Sequence, residues 1–310
     1  MVTMDKWNVI EAKPNDISQS PAPCLASLAD LTVGAIIFRQ AFTPASCAAL
    51  IDRFIERGLM YDPQVQEIPA KFVEASVREG GYGRIADPTY SMFAGQDPRS
   101  RRRRIDIGTS LGNLGNHPDE FFADSQKTHQ LFAGLFDGIN NPIPVLYRHL
   151  ELLARPEQKK VMTAHEPDGR LYGPAIFRVH YGGYTYGPHF DSVRLREKRD
   201  NYAVHRFREQ FAGVMCLQNS QLNGRSAQAI IHRCRWCPEV DPYIQSERFA
   251  EYALAHSVPN VTVNLEPGDL YFFNTQLIHE VPGVPGELPR IVLATFIGYS
   301  PDDDEVFVWS

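Results

Sequence analysis

Two stretches decide how this chain reads: YGGYTYGPHFD, Tyr181–Asp191, and EPGDLYFFNTQLIHEVPGVPGELPRIVLATF, Glu266–Phe296. Residues two apart on a strand project to one face, so His189 and Asp191 can offer an imidazole and a carboxylate to a single ion. An H-x-D arises often by chance, and a strand histidine is more often hydrogen-bonded structure than a ligand. His279, at the end of DLYFFNTQLIHEV, supplies the third ligand if that strand lies beside the first. Two histidines and one carboxylate on one face of an octahedron leave three positions open. Arg290 follows, across VPGVPGELP and at the start of the apolar run RIVLATF. Its planar, always charged guanidinium is a natural bidentate partner for a carboxylate.

Outward from these stretches, residues from about 160 onward fall into short apolar or alternating runs separated by turn residues, as in a β-sandwich or barrel. The clearest are AIFRVHY, QFAGVMCLQN, AQAIIHRC, NVTVNL, DLYFFNT and RIVLATFIGY. In EPGDL, Pro267 and Gly268 suit a tight reversal, which predicts a hairpin joining NVTVNL to DLYFFNT. Alternation along AIFRVHY puts Arg178 and His180 on one face and Tyr181 on the other. Facing inward, Arg178 and His180 would meet a bound co-substrate; facing outward, they are a wetted polar face.

Towards the N-terminus, VGAIIFRQ (Val33–Gln40) reads as a strand feeding an amphipathic helix, with Thr43 as its cap, Pro44 in its first turn and Leu50, Ile51 and Phe54 in its apolar stripe. Further helices are predicted at about 119–136 and 143–154, and the glycine-rich stretch before Arg104 reads as a long excursion. Residues 1–30 are polar and proline-containing, which predicts a loosely held arm before a single domain over 31–310. In that domain a helical layer over about 31–158 would pack on a β-core over about 160–300. The fold class is α+β.

The formal net charge is −6, so the whole molecule does not attract nucleic acid; Arg99 and Arg101–Arg104 form its one basic cluster, and such runs are usually solvated. The run Arg194–Arg208 is also highly charged and reads as a solvated loop or a lid over an anionic substrate. Five cysteines, an odd number, argue against a disulfide framework, and Cys234-x-x-Cys237 lacks the second pair that a structural zinc needs. The N-terminal residues have no secretory pattern and no apolar run is long enough to span a bilayer, so a cytoplasmic protein without membrane contact is expected.

The two opening stretches resemble the iron(II)- and 2-oxoglutarate-dependent dioxygenase superfamily, the first of them locally close to its prolyl 4-hydroxylase-like branch. That branch typically has lysine where this chain has Arg290. VGAIIFRQAFTPASCAALIDRFIERG is similar to the opening strand and helix of these enzymes, and the whole resemblance covers about 31–60 and 160–300. It implies a double-stranded β-helix, or jelly-roll, core with packed N-terminal helices. His189, Asp191 and His279 would be the iron ligands and catalytic centre, and Arg290 the 2-oxoglutarate anchor; Arg178 and His180 are candidate co-substrate contacts from strand alternation alone. Where many relatives carry a Gly-Gly-Glu-Leu-like motif, this chain reads LNGRSAQAIIHRCRW, so no role transfers there.

The activity so implied uses Fe(II), 2-oxoglutarate and O2, releases succinate and abstracts hydrogen from a substrate C–H bond. In related carrier-independent halogenases a glycine replaces the carboxylate ligand; Asp191 therefore disfavours halogenation. Hydroxylation of a small carboxylate-bearing metabolite such as an amino acid is the leading expectation. Desaturation, cyclisation and hydroxylation of a prolyl or other protein side chain are the alternatives, and a catalytically silent jelly-roll binding module is the non-enzymatic one.

Overall fold

A computed structural model describes residues 7–13, 23–65, 67, 69, 72 and 104–310. The strands are β1 (Val9–Glu11), β2 (Ala35–Phe38), β3 (Arg104–Ile107), β4 (Lys160–Thr163), β5 (Ile176–His180), β6 (Tyr186–His189), β7 (Glu209–Gln218), β8 (Gln221–Leu222), β9 (Arg225–Ser226), β10 (Ala229–Arg235), β11 (Asn260–Val263), β12 (Leu270–Asn274), β13 (Leu277–Val281), β14 (Arg290–Tyr299) and β15 (Glu305–Trp309). Nine of them form one sheet, in the order β1-β2-β12-β7-β14-β15-β4, with β5 also on β14 and β3 on β5. A second sheet runs β11-β10-β13-β6. Mixed helices and a large, mostly antiparallel sheet make the fold α+β, as expected.

Alternation along the strands sorts side chains into two layers. In β12, Leu270 and Phe272 join a core with Leu50 and Phe54 of the helix Pro44–Glu56 and Leu146 and Leu150 of the helix Pro142–Ala154. Tyr271 and Phe273, on the opposite face, pack with Ile231, Leu277 and Val281 of the smaller sheet. The large sheet is thus covered on both sides, which is why LYFFN and RIVLATF read as nearly unbroken apolar runs. Thr43 caps its helix as predicted, its Oγ1 accepting from Ser46 N at 3.1 Å. The helices predicted near 119 and 143 lie at Pro118–Leu135 and Pro142–Ala154.

Several expectations change. EPGDL does not close a hairpin: β11 pairs with β10 in one sheet, whereas β12 lies between β2 and β7 in the other. Gly268 has the positive φ expected (+97°), but Asp269 ties the turn to the large sheet by accepting from Arg39 Nη1 (2.7 Å), Gln40 N (2.9 Å) and Glu266 N (2.9 Å). DLYFFNTQLIHEV is likewise two strands, with Thr275 and Gln276 carrying the chain from one sheet to the other.

Parts of the N-terminal 30 residues, read as a loose arm, belong to the body of the fold. Val9–Glu11 pairs in parallel with Ala35–Ile37, and Leu25 and Leu28 are fully buried. Arg104 does not sit on a solvated basic face. It lies on β3 beside β5, buried, and donates to Asp106 Oδ1 and Oδ2 at 2.7 and 2.6 Å. Arg99, Arg101–Arg103 and the glycine-rich stretch lie outside the described residues.

Arg194–Arg208 is neither wholly solvated nor a separate lid. Arg199 is buried and hydrogen-bonded to the carbonyls of Leu111 and Gly112, while Arg206 and Arg208 pair with acids near the last strand. Among the described residues, no helix is long and apolar enough to cross a membrane.

Candidate metal centre and its cavity

His189 ends β6, and the antiparallel register of β6 with β13 sets it directly opposite His279. The two imidazole centroids lie 4.2 Å apart at 50°. In each ring Nδ1 faces a main-chain carbonyl two residues back: Gly187 O at 2.7 Å from His189 and Leu277 O at 2.9 Å from His279. A carbonyl can only accept, so each Nδ1 carries a proton, and Nε2 is the ring atom left to meet a metal. Both Nε2 atoms face Asp191 Oδ2, at 3.8 and 3.7 Å.

Asp191 reaches this point by a different route from the one expected. It lies beyond the end of β6, so strand alternation does not align it with His189. The sheet crossover holds it instead: Asp191 N donates to Thr275 O at 2.8 Å, and Thr275 Oγ1 donates to Asp191 O at 3.0 Å. Arg196 Nη1 then donates to Asp191 Oδ1 at 2.9 Å.

Among the described residues, His189, Asp191 and His279 are the one group whose donor atoms converge as a metal site needs, all within 4.8 Å of one another. The donor set suits a divalent transition metal: two imidazole nitrogens and a carboxylate oxygen, with backbone partners fixing the rings. Burial, then the neighbouring His279, pushes His189 down to about 3, which keeps it neutral. Burial would raise Asp191, but His279, His189 and Arg196 outweigh it and hold the carboxyl well below its usual range.

These three residues line a cavity between the sheets, about 650 Å³ counting its open mouth. Its opposite wall carries Ile176, Arg178 and His180 of β5 beside Arg290, Val292 and Ala294 of β14. Arg178 and His180 therefore face inward, and Tyr181 points the other way to stack on Tyr61. Arg290 stands beside His180 across the strands. Neither Arg178 nor Arg290 has an ion-pair partner among the described residues, and Arg178 Nε is buried with no hydrogen bond. Burial first, then Arg290, Arg104 and Arg178, drive His180 well below its ordinary value, so it is neutral; its Nε2 meets the Tyr186 hydroxyl at 3.0 Å.

Sequence reasoning missed Arg196, Thr275 and the Arg104–Asp106 pair beside Tyr186. Arg196 was legible only as one charge in a charged run; its spacing of five from Asp191 has meaning only once the turn after β6 is known. Cys234 lies on β10 and Cys237 two residues past its end, and neither is in a disulfide.

Among solved structures, the chain is similar to an N-substituted L-amino acid dioxygenase from Burkholderia ambifaria AMMD in complex with alpha-KG, at 16% identity over 92% of this chain and 89% of that one, with a TM-score of 0.49. It is also similar to the non-heme alpha ketoglutarate dependent epimerase SnoN from nogalamycin biosynthesis (13%, 94% and 88%, 0.45) and to EctD from S. alaskensis with 2-oxoglutarate and 5-hydroxyectoine (15%, 90% and 77%, 0.42). No curated protein sequence matches. Residues 91–310 match the family of the carrier-protein-independent halogenase WelO5, and these residues include the strands of both sheets that line the cavity. The chain therefore belongs to that family, and with it to the iron(II)- and 2-oxoglutarate-dependent dioxygenase superfamily.

Proposed function

We propose that this protein hydroxylates an unactivated C–H bond of a small carboxylate-bearing molecule such as an amino acid, on a double-stranded β-helix core. One observation carries the reading: a single cavity sets three converging metal donors opposite two guanidinium groups that have no acid partner among the described residues. Burying an unpaired cation is costly, so such a wall favours an anionic ligand.

His189, Asp191 and His279 would hold iron(II). Arg290 would take the distal carboxylate of 2-oxoglutarate in a bidentate pair, and Arg178 and His180 would contact the same co-substrate. Bound iron, 2-oxoglutarate and O2 together supply the oxidising power. The protein's own work is to orient and to shield. Backbone carbonyls keep both imidazoles turned, neutral His180 lies between two cations without adding a third charge, and Ile176, Val214, Phe273 and Val292 make the remaining walls apolar.

Family membership favours a second reading, halogenation. Asp191 speaks against it, because its carboxylate occupies the position that a halide would need. Product mass after turnover with 2-oxoglutarate, chloride and a panel of amino acids and small carboxylates separates the two. Gain of one oxygen supports hydroxylation, and exchange of hydrogen for chlorine overturns it. Loss of two hydrogens would instead indicate desaturation or cyclisation. Stimulation of succinate release by proline-containing peptides alone would point to a protein substrate. No 2-oxoglutarate decarboxylation by the wild type supplied with iron(II) would leave only a silent binding module, and decarboxylation unchanged in Asp191→Ala would remove Asp191 from the catalytic centre.

A further inference from the structure

Asp191 has two carboxylate oxygens and no strand to orient them. Its main chain is fixed by Thr275, but that leaves the side chain free to turn, to chelate a metal with both oxygens or to swing out of the site. One group removes this freedom. Arg196 Nη1 donates to Oδ1 at 2.9 Å, and the same nitrogen donates to Phe190 O at 2.8 Å, so the guanidinium is itself held on the backbone between the two ligands of the H-x-D.

The turn that brings Arg196 back is short and internally bonded. Ser192 Oγ accepts from Leu195 N at 3.0 Å, and Ser192 O accepts from Arg196 N at 3.1 Å. The next acid along the chain, Glu197, lies 2.8 Å from Arg199 Nη1, while Arg196 Nη1 lies 2.9 Å from Asp191 Oδ1. With Oδ1 engaged in this way, Oδ2 is the oxygen turned to both imidazoles.

We propose that Arg196 is a positioning residue that holds Asp191 as a one-oxygen donor. It ties up Oδ1 and reserves Oδ2 for the metal. The segment 194–208 thereby contributes to the metal centre itself, apart from any contact with substrate. The inference rests on the reading of His189, Asp191 and His279 as the metal site. Loss of an outer-shell partner of this kind lowers metal affinity by roughly 10–100-fold.

The test is Mn(II) binding to the full chain, measured by calorimetry and by the manganese paramagnetic resonance signal, alongside thermal unfolding of the metal-free protein. Arg196→Ala should bind Mn(II) at least about 10-fold more weakly with metal-free unfolding unchanged, and Arg196→Lys should recover most of the loss because it restores a cationic donor. In an Asp191→Ala background, Arg196→Ala should have no further effect on Mn(II) affinity. Should Arg196→Ala prove unstable, Arg196→Gln, which keeps a donor of similar reach without the charge, is expected to bind between alanine and wild type. Wild-type affinity in both Arg196→Ala and Arg196→Gln, or an equal loss with and without Asp191, overturns the proposal while leaving the metal site standing. Failure of the wild type to bind Mn(II) overturns the metal-site reading, and the proposal with it.

Discussion

The rings of His189 and His279 face each other across one antiparallel strand pair, 4.2 Å between centroids, with both Nδ1 atoms tied to main-chain carbonyls. Geometry of this kind is set by strand register, so either histidine can be removed with little effect on the other's position. His189→Ala and His279→Ala should each weaken Mn(II) or Co(II) binding by more than about 100-fold while the metal-free protein unfolds near the wild-type temperature. Calorimetric titration and a thermal melt check both halves.

Arg290 is nearly buried and has no acid partner among the described residues, so its replacement removes a cation that only a ligand would neutralise. Charge-assisted hydrogen bonds contribute about 1.5–3 kcal/mol each, so Arg290→Ala should raise the KM for 2-oxoglutarate by one to two orders of magnitude, and Arg290→Lys by less. Succinate release as a function of 2-oxoglutarate reads this directly. An unchanged KM would remove Arg290 as the anchor.

Replacing Asp191 by glycine leaves the Arg196 cation facing the space that the carboxylate had filled. The hydroxylation proposed for the wild type should fall below detection, and Mn(II) affinity should become chloride- and bromide-dependent, rising as halide is added. The same halide titration on Asp191→Gly/Arg196→Ala should be flat. A flat titration in the single variant would show that the cation does not recruit an anion.

Phe272 is fully buried between the large sheet and the helical layer, with its ring edge-on to Phe38 at 6.2 Å. Phe272→Ala should cost about 3–5 kcal/mol of stability, read as a lower urea midpoint at an unchanged slope. Since Phe272 points away from the cavity, the metal affinity of the folded fraction should stay at wild type.

His180 gives the pH prediction. Its native pKa lies well below the ordinary 6.5, with burial the leading cause. Below that ordinary value the unfolded chain takes up a proton that the folded state refuses, so stability is fully present above about pH 6.5 and falls as pH is lowered towards the native pKa, at up to about 1.4 kcal/mol per pH unit. His180→Gln should flatten that part of the profile. Equal slopes for the two proteins between pH 6.5 and 5 would show that His180 does not carry the effect.

Much of this was legible in the chain because local chemistry and burial agree. The shared face of Arg178 and His180 and the capped helix after Thr43 follow from period and residue type, and His189, Asp191 and His279 were legible as a donor set from residue type alone, since strand alternation does not bring Asp191 to the histidines. What was not legible depended on which sheet a strand joins. NVTVNL and DLYFFNT look like hairpin partners because a turn separates them, and only Asp269, reaching Arg39 far away in sequence, sends the second strand elsewhere. In the same way Arg196 resembles its charged neighbours until the turn after β6 brings it to Asp191.

The crossover at Thr275 has a consequence for the width of the site. Tyr271 and Phe273 stand on one wall and His279 on the other, joined by a few covalently linked residues, and Thr275 Oγ1 reaches both Asp191 O and Gln210 O at 3.0 Å. The spacing between the metal-facing wall and the arginine wall is therefore gauged by the chain itself, like the fixed jaw of a calliper. Molecules would be sorted by whether they fit that gap, and swelling of the core could not widen it without first breaking the Thr275 clasp.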